Sequence, residues 1–113
     1  MSQVWHVRLT QQAERDLHNI LKWTAERFGA IQAENYAETL MSVIQALSHG
    51  PDIPGIKNRD ELAPGVRVLH VARYGRKGRH FVVLRGAEEQ VVEVLRLLHD
   101  SIELTRHMPA SND

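Results

Sequence analysis

The stretch that decides the fold runs from Val66 to Leu98. Val66-Arg67-Val68-Leu69-His70-Val71-Ala72-Arg73 is followed by Gly75-Arg76-Lys77-Gly78, then by Arg79-His80-Phe81-Val82-Val83-Leu84-Arg85, then by Gly86-Ala87-Glu88-Glu89, and last by Gln90-Val91-Val92-Glu93-Val94-Leu95-Arg96-Leu97-Leu98. β-branched and aromatic residues fill segments of strand length, and the glycine-bearing breaks between them are short enough to be turns. An antiparallel three-strand meander is the expected result. In the third segment the apolar residues Val91, Val92, Val94, Leu95, Leu97 and Leu98 are nearly continuous rather than alternating, which predicts a central strand covered on both faces.

Upstream of the meander the period changes. Val4 to Leu9 alternates, with Trp5, Val7 and Leu9 on one side and Val4, His6 and Arg8 on the other, as a half-buried strand does. Thr10 is suited to cap a helix, and Ala13, Leu17, Ile20, Leu21, Thr24 and Phe28 then recur at spacings of three and four up to Gly29. A second stripe, Ala33, Tyr36, Ala37, Leu40, Val43, Ile44 and Leu47, ends at Gly50-Pro51. Two helices with so short a link must lie antiparallel, and the hairpin is expected over roughly residues 11–49. Between Pro51 and Gly65 lie three of the four prolines and no sustained period, so this segment reads as a structured loop.

These elements predict an α+β domain: an N-terminal strand at a sheet edge and a helical hairpin packed on one face of a small antiparallel sheet. Residues 1–109 are expected to form the single domain, with 110–113 a disordered tail and the segment from Asp100 to Met108 a short helix or an arm. A chain of 113 residues has room for one modest core. It has no cysteine, which excludes disulfides and thiolate metal sites. The first residues lack the basic and apolar regions of a secretion signal, and no apolar run approaches ~18 residues. A soluble, cytoplasmic protein without membrane contact is expected.

Lys plus Arg and Asp plus Glu are each 14, so net charge does not favour a simple nucleic-acid binder. The distribution is uneven, however. From Leu62 to Ala87 there is no acidic residue, while Arg67, Arg73, Arg76, Lys77, Arg79 and Arg85 fall in the same stretch. Such residues commonly do no more than solvate strand ends and turns. If they have a partner, it must be acidic.

Several groups of residues together resemble the ParE toxins of the ParE/RelE superfamily. They are Thr10-Gln11-Gln12-Ala13-Glu14-Arg15-Asp16-Leu17 after an opening strand, Arg59-Asp60-Glu61-Leu62-Ala63-Pro64-Gly65-Val66-Arg67, Val94-Leu95-Arg96-Leu97-Leu98-His99-Asp100, and Ser101-Ile102-Glu103-Leu104-Thr105-Arg106-His107. The resemblance covers nearly the whole chain in the right order. It implies a toxin neutralised by a co-expressed antitoxin, with the fold derived above. It also implies one of two mechanisms: inhibition of DNA gyrase by protein contact in the ParE branch, or ribosome-dependent mRNA cleavage in the RelE branch.

Cleavage needs a base, an acid and cations around the phosphorane. His99 with Arg79 and Arg96 is the set from which such a site can be drawn. A histidine at a strand end is more often a hydrogen-bonded structural residue. The C-terminal tyrosine common in RelE-type enzymes has no counterpart, since Tyr36 falls on a helix stripe and Tyr74 at a turn. The ParE branch is therefore preferred, with no catalytic residues and no direct nucleic-acid contact. In that branch Arg67, Arg73, Arg79 and Arg85 are the candidates for binding the antitoxin or target, because the guanidinium fork holds a carboxylate with two hydrogen bonds. No cofactor or metal is expected: Gly75-Arg76-Lys77-Gly78 lacks the strand-to-helix setting of a phosphate loop, and the histidines form no i, i+4 pair or H-E-x-x-H motif. Trp5 and Trp23 are read as packing residues.

Overall fold

A computed structural model describes residues 4–74 and 77–102. Strand β1 spans His6–Leu9, followed by helices α1, Gln11–Phe28, and α2, Ala30–Ala46, the latter extended by a 3₁₀ turn at Leu47–His49. Strands β2, Lys57–Asn58, and β3, Val66–His70, lead into a second 3₁₀ turn at Val71–Tyr74. The described chain then continues with β4, His80–Ala87, and β5, Val91–His99. The five strands form one sheet in the order β1-β5-β4-β3-β2.

Local chemistry accounts for the hairpin. Thr10 is extended and its hydroxyl accepts the Ala13 amide, so α1 starts as the sequence predicts. Gly29, at φ +94°, ends α1 by donating to the Ala25 carbonyl and immediately opens α2, a conformation that a side chain rarely adopts. Leu40, Val43, Ile44 and Leu47 of the second stripe are buried, while Leu17, Ile20 and Tyr36 pack on the same core half-buried. Phe28 departs from its stripe. It is the last residue of α1 and is 63% exposed.

The sheet has two cores. Leu69, Val71, Val82, Leu84, Val92, Val94 and Leu97 meet the helices, and Val66, Val68, Val83, Leu95 and Leu98 pack on the other face under Leu62, Ala63 and Phe81. β5 is buried on both sides, as its apolar run predicts. The sheet is mixed rather than wholly antiparallel, which corrects the expected architecture. β1 pairs parallel with β5, His6 opposite Val91 through Leu9 opposite Val94, because the connecting hairpin brings the chain back over one face and the intervening strands fill the far side.

The loop before β3 also holds the unpredicted strand β2, Lys57 opposite Val68 and Asn58 opposite Arg67. Two residues are too few for periodicity to register. β3 is shorter than expected, since Val71–Tyr74 winds into the 3₁₀ turn, whereas β4 runs through Gly86 and Ala87 and turns only afterwards. Residues 75 and 76 of the anticipated first turn, and the tail from 103 onward, lie outside the described residues.

Where β1 ends, α1 takes over the exposed edge of β5. The Thr10 amide donates to the Val94 carbonyl, its hydroxyl to the Leu95 carbonyl, and the Asp16 carboxylate accepts the Leu97 amide at 3.0 Å. The same carboxylate receives two bonds from Arg96, at 2.7 and 3.0 Å.

Candidate functional site

The meander ends bring chemistry to one corner. His80 lies opposite His99 in the β4–β5 register and His70 opposite Phe81 in the β3–β4 register, so three histidines share the end of the sheet where α2 presents Tyr36. Tyr36 Oη lies 2.6 Å from His80 Nδ1, and the His80 and His99 rings meet edge to face at 5.2 Å. Gly78 permits this approach, since a Cβ there would stand 2.8 Å from both Tyr36 Oη and Val71 Cγ1.

Asp100 organises the other side of the corner. Its carboxylate accepts both a bifurcated bond from Arg79 Nε, 3.1 Å to each oxygen, and a bond from His70 Nε2 at 2.9 Å. The His70 tautomer follows from its second contact: Nδ1 accepts the Ala72 amide, which leaves the proton on Nε2 to donate. The same logic applies to His99, whose Nδ1 accepts the Ser101 amide at 3.1 Å and lies 2.7 Å from the Ser101 hydroxyl. Its proton is therefore on Nε2.

Electrostatics follow the contacts. The bond from Arg79, then that from His70, hold the Asp100 carboxyl well below the usual range, at about 2. Burial, then repulsion from His99, push the His80 imidazole down to about 4. Burial raises Tyr36, keeping its hydroxyl protonated. His80 gives the fold a predictable acid response. Its folded-state pKa lies below the ordinary 6.5, so the contribution is complete above pH 6.5 and is lost as pH falls from 6.5 towards 4, where only the unfolded chain takes the proton. Discounted for partial exposure, the expected loss is roughly 1–2 kcal/mol. Denaturant midpoints at pH 7.5 and 4.5 check this, and His80→Gln should flatten the difference. Asp100 acts in a separate window, losing its stabilisation only as pH falls from 3.8 to about 2.

Around the corner runs a groove of about 640 Å³ lined by Trp23, Phe28, Gln32, Tyr36, His80 and His99, with Arg79 at its rim. Trp23 is half exposed and meets Phe28 edge to face at 5.9 Å, with the Arg27 guanidinium 5.3 Å above its ring. A second groove shares Trp23, His80 and His99 and extends to Arg96 and Ser101. Sequence reasoning singled out His99 and Arg79 here but missed Tyr36, His80, His70 and Asp100. The available signal was the tyrosine itself, since a hydroxyl on an apolar stripe requires a polar partner.

The structure separates the basic candidates. Arg67 bonds the Pro51 carbonyl at 3.2 Å and pairs with Asp52 at 3.1 Å, Arg79 pairs with Asp100, and Arg85 pairs with Glu93 at 3.2 Å. Arg96 is committed to Asp16. Arg73 is exposed and has no carboxylate partner among the described residues. No helix among the described residues is long and apolar enough to cross a membrane.

Residues 7–104 match the model of the ParE toxin of the type II toxin–antitoxin system parDE. The chain is 31% identical over 102 residues to Toxin ParE1 of Caulobacter vibrioides, covering 89% of this chain and 95% of that protein. Among solved structures it resembles a chain of the chromosomal ParDE system of P. aeruginosa, with TM-score 0.66 and 18% identity over 85% of this chain and 96% of that one. It also resembles a chain of the RelBE2 toxin–antitoxin complex of Mycobacterium tuberculosis, with TM-score 0.56 and 26% identity over 85% and 98%. The chain belongs to the ParE toxin family of type II toxin–antitoxin systems, within the ParE/RelE superfamily.

Proposed function

We propose that this toxin acts in the cytoplasm by protein contact on DNA gyrase, and that a cognate antitoxin holds it in check by binding its sheet. The observation that carries the reading is the state of the polar corner. His99 turns its only lone pair towards Ser101, and Nε2 carries a proton, so neither nitrogen is ready to take one from a 2′-hydroxyl. The cations that a phosphorane would need are also engaged, Arg79 with Asp100 and Arg96 with Asp16. An inhibitor working by surface contact needs neither group free. The solved relatives described as ParDE and RelBE2 systems support an antitoxin partner.

The alternative, mRNA cleavage of the RelE type, is favoured by one observation: Arg79, His80 and His99 line a common groove. His99→Ala separates the two. Growth inhibition on induction should persist in the variant, and the purified protein should still inhibit gyrase supercoiling. A ribonuclease using His99 as acid or base would lose about 10²–10⁴-fold in rate. If the variant stays folded, still binds antitoxin and has lost its toxicity, the cleavage reading replaces this one.

A further inference from the structure

Six arginines on or beside the sheet have carboxylate partners within the chain. Arg8 and Arg85 share Glu93, Arg59 holds Glu61, Arg67 holds Asp52, Arg79 holds Asp100 and Arg96 holds Asp16. Lys57 and Arg73 differ. Both are exposed, neither has an acidic partner among the described residues, and both line one pocket of about 200 Å³ with Gly55, Val68, His70 and Phe81.

The pocket walls are held in place. A Cβ on Gly55 would stand 3.3 Å from Arg73 Cβ and 3.1 Å from Leu69 Cδ1, so the loop is pressed directly onto the turn that carries Arg73. His70 is fixed through both nitrogens, by Ala72 and Asp100, and meets the Phe81 ring edge to face at 5.0 Å. Val68 is 3% exposed. The result is an apolar floor beneath two uncompensated cations.

Size and position narrow the ligand. Sites for small molecules usually measure ~300–1,000 Å³, so this pocket suits a single side chain. Two cations above apolar carbon suit a carboxylate on a short methylene stem. β2 carries Lys57 at the edge of the sheet, with no strand beyond it among the described residues, and an extended segment can lie along such an edge. A nucleic-acid backbone instead needs a track of unpaired cations, whereas the neighbouring arginines are neutralised by their own carboxylates.

We infer that the Lys57–Arg73 pocket receives a glutamate or aspartate side chain from an acidic, extended segment of the partner protein lying along β2. The inference rests on the antitoxin reading above and gives that partner a docking point. It also moves the main electrostatic contact away from Arg67, Arg79 and Arg85.

The test is calorimetric titration of the full chain with the antitoxin encoded beside its gene. Lys57→Glu combined with Arg73→Glu should weaken binding by on the order of 30-fold or more, whereas Arg8→Ala, at the opposite edge, should change it by less than about fivefold. Should the double reversal fail to fold, Lys57→Gln with Arg73→Gln is measured in its place, with a smaller loss in the same direction. Restoration of binding by a lysine replacing one antitoxin carboxylate identifies the docked side chain. Unchanged affinity in a folded double variant overturns the inference while leaving the partner reading intact; no binding of antitoxin to the wild-type chain overturns both. If a single-stranded RNA oligonucleotide binds the wild-type chain and is lost with the double variant, the pocket holds phosphate and the inference fails.

Discussion

Asp16→Ala is expected to lower the unfolding free energy by about 3–5 kcal/mol, the range for removing one partner of a buried ion pair. Asp16 and Arg96 are only 11% and 15% exposed, and the pair is bidentate. The substitution removes the carboxylate that holds the guanidinium in two bonds and also takes away the acceptor of the Leu97 amide, at the edge β1 does not reach. Asp16→Asn separates the two losses, because an amide oxygen still accepts from Leu97 but carries no charge. Denaturant titrations of both variants, with Arg96→Ala and the Asp16→Ala/Arg96→Ala double variant, give the coupling directly. The double variant should be destabilised by clearly less than the sum of the single ones. A loss below about 1 kcal/mol for Asp16→Ala would mean that the pair behaves as a solvent-screened surface bridge.

Leu40→Ala is expected to cost about 2–5 kcal/mol and to reduce toxicity only through the folded fraction. Leu40 has no exposed surface and lies in the core between α2 and the sheet with Val43, Ile44, Val82 and Leu84. Truncation leaves a cavity that neighbours on a helix and a sheet cannot both collapse into. An unchanged denaturant midpoint would place Leu40 outside the packed core.

The sequence signals that succeeded have a long physical period. Two helical stripes and the continuous apolar run of β5 are repeated over many residues, and burial enforces them at every turn. Signals resting on few residues or on distant partners were not legible. β2 is two residues long, and the parallel pairing of β1 depends on where residues 91–94 sit rather than on any property of residues 6–9. Alternation in β1 specifies a half-buried strand but says nothing about its direction. The site shows the same division. The acid-free stretch announced a basic surface, but Glu93, Asp52 and Asp100, which neutralise much of it, lie outside that stretch. Phe28 fits the stripe of α1 and yet emerges in the groove, because period locates a face and cannot tell how far the covering sheet extends.

The place of β5 in the sheet fixes the order in which the protein can be built. Residues 91–99 are the ninth and last element in the described chain order, yet they form the strand that joins β1 to the rest of the sheet. While the chain is being synthesised, the helical hairpin and the β3–β4 pair can form from local contacts. β1 has no strand to join, and the core face of the hairpin meets an incomplete sheet. Closure then requires contacts about 85 residues apart in sequence, His6 with Val91, which are slow to form because the loop entropy is lost before the pairing returns any energy. The polar corner, which needs His99 and Asp100, is assembled later still. A nascent chain therefore has neither a closed sheet nor the polar corner until residues 91–100 are in place, and a chain cut short before β5 lacks the strand that joins both halves of its core.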